Sequence, residues 1–78
     1  MATMKFDGVE REIPRKSRWL SQDDTGQWYA HTHKPVPYYE WREWLHDGYD
    51  PTVHKDYHIC AGNPPADWTQ ELYRLVWS

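Results

Sequence analysis

The sequence predicts an α+β domain, a small antiparallel sheet of three to four strands closed by a short C-terminal amphipathic helix. Three observations carry this expectation. Two aromatic-bearing runs flank a polar turn that ends in glycine within residues 18–33. Residues 55–61 alternate with period two, and residues 67–75 set apolar side chains at helical spacing behind an acidic cap.

Taken in order, residues 1–17 read as a mildly basic N-terminal arm, with Lys5, Arg11, Arg15 and Lys16 against Asp7, Glu10 and Glu12. Residues 18–78 read as a single aromatic-rich domain, without repeats or a linker. Trp19-Leu20-Ser21-Gln22 and Gln27-Trp28-Tyr29-Ala30-His31 surround Asp23-Asp24-Thr25-Gly26, a β-hairpin signal because glycine tolerates positive φ and aspartate bonds to nearby backbone. Pro35 and Pro37 end the second strand by removing amide donors. Residues 38–46 are ambiguous. Tyr38, Trp41, Trp44 and Leu45 match helical spacing, yet Tyr and Trp favour strands and no polar cap precedes Pro37, so strand is preferred over a short helix. After a loop at residues 47–51, residues 55–61 form a strand with Tyr57, Ile59 and Ala61 on one face and His58 and Cys60 on the other. Asp67 then caps a predicted helix whose Trp68, Leu72 and Leu75 fall at i, i+4 and i+7.

Composition bounds what such a domain can do. A chain of 78 residues buries roughly 60–65% of its unfolded surface, which favours a binding surface over a core plus a deep cleft. Mean hydropathy is −1.07, but six Trp and six Tyr supply the missing apolar area, each ring burying about 150–250 Å². Cys60 is the single cysteine, so no intramolecular disulfide forms and a reducing cytoplasm is expected. The first residues offer no apolar leader core, and no apolar run approaches a membrane span. Net charge is −3, and the acidity lies after Arg18. That sign opposes direct nucleic-acid binding, which rests on clustered cations.

The run from Trp19 to Pro35, W-L-S-Q-D-D-T-G-Q-W-Y-A-H-T-H-K-P, together with I-C-A-G-N-P-P-A-D-W-T-Q-E-L from Ile59, resembles a loose class of small tailed-bacteriophage proteins. They share a tryptophan-led strand, a D-x-D-G-like turn, an aromatic strand ending in Lys-Pro and a closing Asp-Trp. The resemblance implies a small antiparallel sheet and a phage origin, and transfers no catalytic residue.

Several side chains invite chemistry. His31-x-His33 and His58-x-Cys60 on strands each share a face, and with His54 they make a metal site conceivable, although no zinc-type spacing is present. Cys60 beside His58 suggests a thiol nucleophile, against which a buried core cysteine is the simpler reading. Asp23 with Asp24 and Glu40 with Glu43 suggest acid–base pairs, but turn chemistry explains the first and a solvated face the second. No cofactor and no catalytic residue are expected.

The expectation is therefore a non-enzymatic, phage-encoded protein of the bacterial cytoplasm. It would bind and modulate a host protein through an aromatic patch of Tyr38, Tyr39, Trp41 and Trp44, rimmed by Asp23, Asp24, Glu40, Glu43, Asp47 and Asp50. The alternatives are a minor virion or assembly component acting by self-association, and a zinc-binding or thiol-dependent enzyme using His31, His33, His58 and Cys60.

Overall fold

Cross-strand pairing, rather than helix packing, organises the chain. The computed structural model describes residues 2–6 and 8–76, so Asp7 of the basic arm lies outside the described residues. Its strands are β1 (Ala2–Phe6), β2 (Val9–Ile13), β3 (Trp19–Gln22), β4 (Gln27–His31), β5 (Val36–Tyr38), β6 (Glu43–Leu45), β7 (Asp56–Ala61) and β8 (Leu72–Arg74). They form a central four-stranded antiparallel sheet of order β7-β4-β3-β8 and two separate hairpins, β1-β2 and β5-β6.

The expected α+β class is corrected to a nearly all-β one. The predicted C-terminal helix is a single 3-10 turn, Trp68–Gln70, followed by strand β8. Asp67 does cap that turn, its carboxylate accepting from the Thr69 amide at 3.1 Å. The helix stops because the open edge of β3 takes the chain. Trp19, Leu20 and Ser21 pair with Arg74, Tyr73 and Leu72, while the Gln22 amide donates to the Glu71 carbonyl at 3.0 Å. Leu75 accordingly joins the core, whereas Trp68 packs elsewhere, and the i, i+4, i+7 stripe never forms.

Strands β3 and β4 form the predicted hairpin with the predicted bounds. Asp23 organises its turn, one carboxylate oxygen accepting from the Thr25 amide and hydroxyl and from the Gln27 amide. Gly26 sits at φ +95°, and a Cβ there would lie 2.3 Å from the Gly62 carbonyl oxygen. Residues 38–46 resolve into the strand alternative, as two short strands joined by a turn at residues 39–42. No helix among the described residues is long and apolar enough to cross a membrane.

Register assigns the two faces of the central sheet. Leu20 pairs with Ala30, and both join Ile13, Leu75 and the partly buried Met4, Trp28 and Ile59 in the apolar core. Hairpin β1-β2, which is the structure of the N-terminal segment, thus contributes to one face. Ser21, Tyr29 and His31 point to the opposite face, which hairpin β5-β6 covers. A bulge opposite Trp28 and Tyr29 inserts Ile59 between His58 and Cys60.

Candidate functional site: a buried histidine–aspartate cluster beneath an aromatic hairpin

The covered face of the sheet carries polar residues because three chain segments meet there. His31 ends β4 and pairs in register with Asp56, the first residue of β7. His46 directly follows β6 and reaches the same aspartate from the hairpin side. His31 Nδ1–H donates to Asp56 Oδ1 at 2.6 Å, and His46 Nε2–H donates to the same oxygen at 2.7 Å. That tautomer leaves His31 Nε2 to accept from the Ser21 hydroxyl at 2.7 Å. The rings of His31 and His46 meet edge to face at 5.7 Å, and His46 stacks on His54 at 4.5 Å.

Both imidazoles are almost wholly buried, at 2% and 6% exposure, while the Asp56 side chain keeps 34%. Burial pushes the His31 imidazole below its ordinary value, outweighing the hydrogen bond to Asp56 that acts the other way. Burial alone would raise the Asp56 carboxyl, yet the hydrogen bonds from His31 and His46 hold it below the usual carboxylate range. The cluster is therefore a carboxylate served by two imidazole donors.

Two hollows flank it. One, of about 190 Å³, lies between Tyr29, His31, Trp44 and Asp56. The other, of about 380 Å³, lies between Tyr38, Leu45, Tyr49 and Asp56. Burial and the carboxylates of Asp23 and Glu43 raise the Tyr29 phenol, so it stays a neutral hydroxyl in the first hollow.

Ser21, His31 and Asp56 have the atom order of a hydrolase triad, but Ser21 is fully buried and lines neither hollow. A substrate carbonyl has no route to its oxygen, so the geometry does not support acyl transfer.

No family model, no curated protein and no solved structure matches this chain.

Of the histidines and cysteine singled out in the sequence, only His31 enters this cluster. His33 lies in the bend beyond β4, exposed, its ring 5.1 Å from that of His54. His58 is exposed against Tyr29, within hydrogen-bonding distance of Gln27 Oε1 at 2.7 Å. Cys60 is buried and, paired with Trp28, belongs to the core face. The bulge separates His58 and Cys60 onto opposite faces, where simple alternation had placed them together. Its other members, His46, Asp56 and Ser21, lie outside the sites expected from the sequence.

The proposed aromatic patch divides as well. Trp44 is buried, its indole N–H donating to the Gln22 carbonyl at 3.0 Å and its ring set edge-on to Trp68 at 5.8 Å. Tyr38 is half-buried. Tyr39 and Trp41 stand in the turn at 70% and 67% exposure. Arg42, at φ +54°, closes that turn and pairs with Asp24 at 3.4 Å. Glu40 and Glu43 are exposed on the same hairpin, whereas Asp23 is turned into its own loop. Asp47 and Asp50 follow β6, at the end of the hairpin away from the tip, and Asp50 caps Thr52.

Proposed function

We propose that this chain is a non-enzymatic binding protein that grips a partner protein through the tip of the β5-β6 hairpin. One observation carries the reading: Tyr39 and Trp41 are both exposed on one turn, and the strand that leaves it is fixed by the buried, hydrogen-bonded Trp44. Two rings held out from an anchored hairpin lose little freedom on docking, which is the economy of an aromatic anchor. Glu40 and Glu43 are exposed in the same turn and at its exit, while Asp24 is paired with Arg42, so the fitting partner offers an apolar pocket with basic groups placed for Glu40 and Glu43. The resemblance to tailed-phage proteins makes a bacterial cytoplasmic protein the expected partner, and occlusion of its pocket the expected effect.

The test is capture from bacterial lysate with the wild type and with Tyr39→Ala/Trp41→Ala, followed by reconstitution from two purified proteins. The expected result is a stoichiometric complex, lost in the double variant and formed more slowly with Glu40→Lys/Glu43→Lys. A complex indifferent to all four substitutions overturns the assignment to this tip. If light scattering instead shows an oligomer that the double variant disperses, the partner is a second copy of the chain.

A further inference from the structure

We propose that His31, His46 and Asp56 together hold one divalent transition-metal ion of the zinc class, which fastens the β5-β6 hairpin to the central sheet. One ligand atom from each residue lies within 4.8 Å of the other two. Zinc bonds nitrogen and oxygen at about 2.0–2.2 Å, which sets tetrahedral neighbours about 3.3 Å apart. The two N···O separations are now 2.6 and 2.7 Å, so the carboxylate oxygen withdraws by about 0.6 Å from each nitrogen to admit the ion, and the two nitrogens, within 4.8 Å of one another, settle at the same spacing around it. It has room to do so, because Asp56 borders both hollows.

The donor set selects the class of ion. Two neutral imidazoles and one carboxylate suit zinc and its first-row neighbours, whereas calcium and magnesium require shells of oxygen. Both ring nitrogens already aim at one carboxylate oxygen, so three lone pairs converge once the imidazole protons move to the far nitrogens. For His31 that far nitrogen faces Ser21 Oγ at 2.7 Å. The hydroxyl, which donates to Nε2 in the ion-free tautomer, then accepts from Nε2–H and orients the ring, as the outer partner of a metal-bound histidine does. Water entering from either hollow supplies the fourth ligand.

The position gives the ion a structural task. His31 belongs to β4, Asp56 to β7, and His46 to the segment leaving β6. A bond to each ties the covering hairpin across two sheet strands at the end opposite its exposed tip.

The experiment uses the full chain stripped with chelator and titrated with Zn²⁺, then with Co²⁺ as a spectroscopic probe. The expected result is one equivalent bound after gel filtration, with cobalt bands typical of four-coordinate N and O ligation. Asp56→Asn and His46→Ala weaken binding more than tenfold, Ser21→Ala weakens it about 10–100-fold, and His58→Ala and Cys60→Ser leave it unchanged. Because a ligand variant can disturb folding, the deciding measurement is made on the wild type by imidazole nitrogen NMR. Zinc is expected to shift Nδ1 of His31 and Nε2 of His46. Shifts confined to His33, His54 or His58, or binding well below one equivalent, overturn the proposal.

Discussion

Replacing Trp41 and Trp44 separately by alanine tests the division of the aromatic hairpin, because the two residues are three apart in sequence and opposite in environment. Trp44 is 8% exposed, donates its indole N–H to Gln22 and packs edge-on against Trp68. Its truncation removes a buried indole and leaves a cavity, at a cost of about 3–5 kcal/mol. A 78-residue chain has about 4–12 kcal/mol of stability in all, so Trp44→Ala is left near the edge of folding. Trp41, at 67% exposure, changes stability by no more than about 0.5 kcal/mol when truncated. The assay is urea denaturation followed by circular dichroism. With a slope near 1 kcal/mol per molar for so small a protein, the midpoints move by about 3 M or more for Trp44→Ala and by about 0.5 M or less for Trp41→Ala. Trp44→Phe serves where the alanine variant does not fold. Losing the indole donor costs about 1–2 kcal/mol and lowers Tm by roughly 4–16 °C. Equal midpoint shifts for the two alanine variants, or an unchanged Tm for Trp44→Phe, refute the separation into anchor and tip.

Two further outcomes follow from the same geometry. Gly26→Ala forces a Cβ to 2.3 Å from the Gly62 carbonyl oxygen at φ +95°, whereas Gly48→Ala, at φ +66° with open space around it, carries only backbone strain; thermal unfolding should show Gly48→Ala costing about 1–2 kcal/mol and Gly26→Ala distinctly more. The Tyr73 phenol, raised chiefly by its hydrogen bond to the Glu71 carboxylate, should titrate closer to 10.0 in Glu71→Gln, read by phenolate absorbance against Tyr73→Phe. Because the folded value is raised, the contribution of this pair is complete below the unfolded tyrosine pKa and is lost as pH rises through the folded one.

What the sequence disclosed was local. The β3-β4 hairpin was legible to its end residues because Asp23 and Gly26 act within four positions of each other. Asp67 was legible as a cap for the same reason, and it does cap a turn. Its continuation as a strand was not, because β8 exists to pair with β3 some fifty residues earlier, and no local propensity reports an unfilled sheet edge. The strand at residues 56–61 showed its alternation but not its bulge, since an extra residue is defined only against a partner. The cluster was hidden by the same distance. Asp56 and His31 are 25 positions apart and meet through strand register, while His46 arrives on a hairpin whose strands are three residues each. Pairing the predicted second strand of the hairpin against residues 56–61 is the one sequence-level step that would have set Asp56 opposite His31.

The hairpin between Val36 and Leu45 is where the two proposals meet, and its mechanics separate them. Trp44 secures it beside the tip by packing on Trp68, and His46 secures the far end through Asp56. Tyr39 and Trp41 project from the turn, and of these only the Tyr39 ring leans on the anchor, 6.0 Å from Trp68. An ion at the far end therefore leaves the tip chemistry untouched and acts only on how firmly the hairpin is held. A partner that reads Tyr39 and Trp41 feels that firmness as a smaller ordering cost, a matter of about 0.5–1.5 kcal/mol for each side chain immobilised in advance. With both proposals in force, metal binding and partner binding would be coupled through a rigid element and not through shared contacts. Either can be lost by substitution without abolishing the other.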